Sequence, residues 1–249
     1  MEKKLYYRVC EGVNDYGHFE EFNPDSSSFI KNDKKDYYRS IYLYNEEQKK
    51  QAEEIIEIKK NGKLIKRPRG VAGMVEVVTP ELVWDFDCKN DISAAKADTK
   101  ELISRLENMG MPSDHIGVYF SGNKGFAVHI LTDKHFTPDK FKAITSTLAE
   151  GLQTYDSVVS NPSRLIRIPQ SVHIKSGLYK TRLNVAELDL DDDEIREISS
   201  QLYETEPLNV VKISNEIESI EPEKRETENI TVFDRVNPNE NPLGLSSWK

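Results

Sequence analysis

The sequence predicts an α/β or α+β domain in which one sheet carries the functional loops. Two observations lead there. Strand-like and helix-like segments interleave along the chain, and from Val75 onward their apolar periods, two for strands and 3.6 for helices, become sharp. Helix-start and helix-stop residues also fall where those periods change, at Gly110, at Thr137 with Pro138, and at Asp191 with Glu194. No internal repeat is visible, and 249 residues suffice for one large domain or two small ones with a substantial core.

The elements follow in order. Up to about Lys63 the pattern is weak: Tyr-rich strand-like pieces at 5–9 and 40–44, a polar loop at 23–36, and a helical stretch at 46–60. Residues 82–88 alternate, placing Val83, Asp85 and Asp87 on one face and Leu82, Trp84, Phe86 and Cys88 on the other, which reads as a strand. Leu102, Leu106 and Met109 then stand at helical spacing and end at Gly110. Two strands, 116–120 and 126–131, are joined by Ser121-Gly122-Asn123-Lys124-Gly125. A helix opens at Thr137-Pro138 with the apolar stripe Phe141, Ile144, Leu148 and Leu152. A strand at 183–188 precedes a helix opened by Asp191 and Glu194 and carrying Ile195, Ile198 and Leu202. Beyond Pro207 periodicity fades into an acidic segment, and residues 237–244 read as disordered. The expected division is an N-terminal αβ portion at 1–74, a motif-bearing core at 75–206, and an acidic flexible tail at 207–249.

Composition excludes several classes of function. No run approaches the roughly 20 apolar residues that span a bilayer, and the first residues lack the apolar stretch of a signal peptide, so no membrane partner and an intracellular location are expected. Cys10 and Cys88 are far apart with no metal-ligand spacing around them, so neither a disulfide framework nor a zinc site is expected. A net charge of −9 argues against nonspecific coating of nucleic acid, which needs many phosphates neutralised by Lys and Arg. Any contact with DNA should therefore be local or assisted by a partner.

Three segments can carry chemistry. Asp85 and Asp87, two apart on a strand, project from one face about 6.5 to 7 Å apart. Such a pair is either a solvated polar face or a site for divalent cations with oxygen ligands. The Ser121-to-Gly125 turn is either a plain glycine-rich hairpin or an anion cradle, in which Gly122 and Gly125 let backbone N–H groups approach a phosphate while Ser121 and Lys124 add a hydroxyl and a point charge. His129 shares a strand face with Ala127 and is either a packed ring or a ligand contact. From Asp156 to Gly177 the chain gathers Arg164, Arg167, His173 and Lys175 around Ser171. That is either a charged edge strand or a set of donors for triphosphate oxygens.

In this order the segments resemble the motifs of the archaeo-eukaryotic primase superfamily, which includes primase small catalytic subunits and viral or plasmid primase-polymerases. Trp84-Asp85-Phe86-Asp87 matches the aspartate pair on a strand, and Ser121-Gly122-Asn123-Lys124-Gly125-Phe126 matches a Ser-Gly-x-Lys/Arg-Gly motif. Asp156, Arg167, Pro169, Ser171-Val172-His173 and Lys175-Ser176-Gly177 match the third motif. The match covers roughly residues 75 to 180. It departs from the family at Ala127, where the motif-two histidine usually falls, and His129 stands two residues later on the same face.

The resemblance implies an α+β primase core, with a mixed, RRM-like sheet flanked by helices. It implies two magnesium or manganese ions on Asp85, Asp87 and Asp156, without zinc. It implies a nucleoside triphosphate held by Ser121, Gly122, Lys124, Gly125, His129, Arg164, Arg167, Ser171, His173 and Lys175. The implied activity is primer synthesis on a single-stranded DNA template during replication, with a replicative helicase or large primase subunit as partner. The alternatives are a non-catalytic primase-fold module that binds nucleotide or origin DNA, and a metal-dependent nuclease.

Overall fold

The computed structural model describes residues 4–32, 34–88, 92–203 and 206–223. The fold is α+β. Its strands and helices run β1 (Leu5–Glu11), β2 (His18–Glu21), β3 (Tyr37–Ser40), β4 (Tyr44–Asn45), α1 (Glu46–Glu53), β5 (Ile55–Lys60), β6 (Lys63–Pro68), β7 (Thr79–Asp87) and α2 (Ile92–Asn108). They continue with β8 (Gly117–Phe120), β9 (Gly125–Phe136), α3 (Pro138–Leu148), β10 (Leu165–Arg167), β11 (Thr181–Leu183), α4 (Asp192–Ile198) and α5 (Asn215–Glu218).

Two sheets position the site. The first has the order β10-β3-β1-β2 with β4 also on β1, and the second has the order β11-β8-β9-β7. Every pairing between these strands is antiparallel, and the mixed character implied by the resemblance is confined to one parallel bridge, Thr132 with Val211. Because β10 pairs with β3, the third motif closes the edge of a sheet built from the N-terminal portion. That long-range pairing ties the two portions together.

The second sheet is covered on one side by helices. Leu82, Trp84 and Phe86 of β7 are fully buried together with Leu102 and Leu106 of α2 and Phe141 and Ile144 of α3. The Trp84 indole N–H, which would be costly to bury unpaired, donates to the Thr145 carbonyl at 3.0 Å. The helix ends follow the cap residues: Gly110 takes φ +81° while the Met111 N–H reaches back to the Leu106 carbonyl, and Thr137 caps α3.

Several elements differ from expectation. The helical stretch at 46–60 ends at Glu53, and the rest forms β5, which turns at Asn61-Gly62 into β6. Both turn residues have positive φ, +50° and +77°, the requirement of a type I′ hairpin turn that Asn-Gly meets best. The strand at 40–44 is interrupted between β3 and β4, where Ile41, Tyr42 and Leu43 are buried. The strand at 183–188 stops at Leu183, because the Glu187 carboxylate caps the Asn184 N–H at 2.7 Å and starts a 3₁₀ turn at Val185–Asp189. Leu152 lies beyond the end of α3, and Leu202 lies beyond α4 and is exposed. After Pro207 the chain still packs: Val211, Ile213 and Ile217 are buried, and Val211 hydrogen-bonds to Leu131 and Asp133. Residues 224–249, including the segment expected to be disordered, lie outside the described residues. Both cysteines are free thiols, and among the described residues no helix is long and apolar enough to cross a membrane.

Candidate active site

The face of the second sheet that the helices leave open looks toward β3 and β10 of the first. The register sets Val83 opposite His129, Asp85 opposite Ala127 and Asp87 opposite Gly125, so these residues share that face. A cavity of about 190 Å³ lies between the sheets, lined on one side by Asp85, Asp87, Ala127, His129 and Lys180 and on the other by Tyr38 and Arg167. Ser121, Lys124, Gly125, Arg164 and His173 complete the lining with their neighbours. Segments far apart in sequence thus converge on one cavity.

The carboxylates sit among cations. Asp156 follows β7 in space, its N–H bonded to the Asp85 carbonyl at 2.8 Å, and one carboxylate oxygen accepts from the Arg164 guanidinium at 3.0 Å. The same guanidinium nitrogen lies 3.9 Å from Asp85, and Lys124 pairs with Asp87 at 2.8 Å. Asp85 itself accepts no side-chain hydrogen bond among the described residues. Burial pushes its carboxyl above the ordinary value; Lys180 and Arg164 oppose that shift, while Asp156 and Asp87 add to it. Among the described residues no three carboxylate, His or Cys side chains converge tightly enough to hold an ion as they stand. Arg164 is paired with Asp156 there, and Lys124 with Asp87.

The glycines of the motif-two turn serve close packing. A Cβ on Gly125 would collide with the Phe86 carbonyl oxygen of β7, and one on Gly122, at φ +81°, would lie 2.9 Å from the Leu178 carbonyl oxygen. Ser121 accepts the Gly125 N–H at 3.2 Å, which closes the turn. Gly125→Ala is expected to separate β7 from β9 and cost about 1–3 kcal/mol, as overpacking does. An unchanged denaturant midpoint would contradict that packing role.

Among the cationic residues, Arg167 is half-buried, donates to the Val172 carbonyl at 2.9 Å and the Tyr38 hydroxyl at 2.8 Å, and lies over the Tyr38 ring. His173 lines the cavity, and burial together with the Arg167 charge lowers its imidazole below the ordinary value. Of the five residues in this segment expected to hold phosphate, Ser171 and Lys175 do not line the cavity. Ser171 is fully buried and its hydroxyl faces the Ile168 and Tyr37 carbonyls, so its one proton goes to the main chain. Lys175 is exposed and does not line the cavity.

His129 is 1% exposed and both ring nitrogens are occupied. Nδ1 lies 2.8 Å from a Glu81 carboxylate oxygen and Nε2 lies 3.1 Å from the Lys180 ammonium. That network assigns the proton to Nδ1, donating to Glu81, and leaves Nε2 to accept from Lys180. Burial and then the Lys180 charge lower the ring to about 4, against the pull of Glu81. Burial raises Glu81, but Arg39, 2.6 Å away, and His129 outweigh it and hold the carboxyl at about 2. Lys180 also donates to the Arg167 carbonyl at 3.0 Å, and burial lowers it to about 7 although Asp85 pulls the other way. Sequence reasoning missed Arg39, Glu81 and Lys180. The available signal was Glu81, which stands in step with Val83, Asp85 and Asp87 on one strand face.

In fold the chain is similar to the polymerase domain of Mycobacterium tuberculosis Ligase D in complex with DNA, with a TM-score of 0.41, 12% identity, and coverage of 79% of this chain and 80% of that one. It is also similar to the AEP domain of the cyanophage S-2L primase-polymerase, with a TM-score of 0.38, 12% identity, and coverage of 79% and 89%. No protein-family model and no curated protein matches the chain.

Proposed function

We propose that the chain is a template-directed nucleotidyltransferase that makes primers on single-stranded DNA from nucleoside triphosphates. The observation that supports this most is the one cavity that holds Asp85 and Asp87, with Asp156 beside them, and also Lys124, Arg164, Arg167, His173 and Lys180. Oxygen-only donors suit hard divalent cations, so Asp85, Asp87 and Asp156 would hold magnesium or manganese. When bound, such ions activate a 3′-hydroxyl for attack and stabilise the leaving pyrophosphate.

The chain's own residues do the rest. Phosphate oxygens accept the same charge-assisted bonds as carboxylates, so an incoming triphosphate competes with Asp156 for Arg164 and with Asp87 for Lys124. That exchange releases carboxylate oxygens where ions are needed. Arg167 is pre-oriented by Tyr38 and the Val172 carbonyl and offers a planar set of donors. Lys180 keeps a third N–H beyond its bonds to His129 and Arg167, and it takes over the direct phosphate contact, while His129 holds it in place.

Lys180→Met is accordingly expected to raise the nucleotide KM about 10–100-fold with a smaller effect on kcat, the worth of one hydrogen bond to a charged group. A KM within twofold of the parent, in a variant with an unchanged melting curve, would remove Lys180 from the phosphate contact. The proposed function itself is tested by supplying labelled nucleotides, magnesium or manganese and unprimed single-stranded DNA, and separately labelled DNA without nucleotides. Primer products support the reading, and cleavage of the labelled DNA would replace it with a nuclease. Nucleotide binding without incorporation would leave a non-catalytic module.

A further inference from the structure

The β5–β6 ribbon lies outside the cavity, and the chemistry above makes no use of it. Residues 55–68 carry five cations, Lys59, Lys60, Lys63, Lys66 and Arg67, against one anion, Glu57, in a chain of net charge −9. Glu57 is paired with Lys66 across the ribbon at 3.4 Å, and Arg67 stacks over Tyr16. Lys59, Lys60 and Lys63 are exposed and have no acidic partner among the described residues.

The register distributes these charges over both faces. Lys60 stands directly opposite Lys63 beside the Asn61-Gly62 turn, Lys59 opposite Leu64, and Glu57 opposite Lys66. Cross-strand partners share a face and successive residues alternate, so Lys60 and Lys63 occupy one face and Lys59 and Lys66 the other. Like charges directly opposite one another are unfavourable in a ribbon. An anion on the Lys60–Lys63 face relieves that repulsion.

We propose that the tip of this ribbon enters the major groove of a DNA duplex, with one lysine pair toward each row of phosphates. A ribbon with its side chains is about 10 Å thick, and the major groove is about 12 Å wide and admits a two-stranded ribbon. Cations on both faces match a groove walled by phosphates on both sides, whereas a single strand would meet only one face. Strands of six residues reach about 20 Å, enough to place the tip well inside the groove. The source of the duplex rests on the proposed function: it is a deoxynucleotide primer paired with its template, whose major groove, unlike that of an A-form hybrid, is wide enough for the ribbon. The ribbon also supplies the local basic contact that an acidic chain needs in order to hold DNA.

The test is equilibrium binding of labelled B-form duplex and of single-stranded DNA to the full chain, without nucleotide, over a range of salt. The variants are Lys60→Ala with Lys63→Ala, Lys59→Ala with Lys66→Ala, and all four together. Each pair is expected to weaken duplex binding at least tenfold at low salt and to lower the log–log salt slope by about 2, with about 4 for the quadruple variant, at roughly 0.9 per phosphate. Melting curves should stay unchanged, because all four side chains are exposed. Unchanged slopes overturn the inference, as does loss confined to one pair or an equal loss on single strands. Duplex loss in these variants from a protein that incorporates no nucleotide would sink the proposed function and leave the ribbon standing. Active synthesis with unchanged slopes would do the reverse.

Discussion

Replacing Asp85 and Asp87 together by alanine is expected to reduce nucleotide incorporation by a factor of 10³ or more while leaving the protein folded. The loss follows from removing two of the three carboxylates proposed to hold divalent cations, whose charge stabilisation is worth several kcal/mol at about 1.4 kcal/mol per tenfold. Stability should not suffer. The Asp85 carboxyl is pushed above its ordinary value by burial, so burying its charge costs the folded state, and its removal relieves that cost. Asp87 pairs with Lys124 in an exposed ion pair, which contributes little. Single-turnover incorporation beside a melting curve checks both halves. A folded double variant that still incorporates within tenfold of the parent would break the assignment.

The parts of this site that were legible in the sequence are those whose geometry is local. Period-two alternation was enough to place Asp85 and Asp87 on one face and Trp84 and Phe86 in the core, and cap residues located the end of α2 and the start of α3. The roles of buried polar groups were not local. His129 meets Glu81 and Lys180 at separations of 48 and 51 residues, so no window of sequence shows that both ring nitrogens are taken. Ser171 fits the motif, yet its proton is spent on a carbonyl that only the turn at 168–171 brings near. β5 departs from the expected helix at 46–60 for a different reason. Glu, Gln and Lys at 46–53 favour a helix, and that reading was carried on through Ile55, Ile56 and Ile58, β-branched residues that favour a strand. The Asn61-Gly62 pair just beyond was the stronger local signal.

Glu81→Ala is expected to destabilise the protein by about 3–5 kcal/mol, the cost of breaking a buried ion pair from one side. Glu81 and Arg39 are 4% and 3% exposed, and the remaining contacts of Arg39 are a 3.2 Å bond to the Ser40 carbonyl and the face of the Tyr7 ring. Its Nε is already buried without a partner, so nothing replaces the lost carboxylate. The pH dependence carries the same signature. Glu81 is depressed to about 2 from 4.5, so its stabilisation is present above 4.5 and is lost as pH falls through 2. His129 is depressed to about 4 from 6.5, so the unfolded chain takes up its proton first and stability falls as pH drops from 6.5 toward 4. The parent protein should therefore weaken progressively from pH 6.5 downward, and Glu81→Ala should flatten the part of that decline below 4.5. Denaturant unfolding at pH 7, 5 and 3 reads all three points, and a loss under 1 kcal/mol at pH 7 would refute the buried-pair account. Because Glu81 orients His129 and His129 holds Lys180, the variant should also show the raised nucleotide KM of Lys180→Met. That coupling would tie the charges that stabilise the fold to the ammonium that faces the cavity.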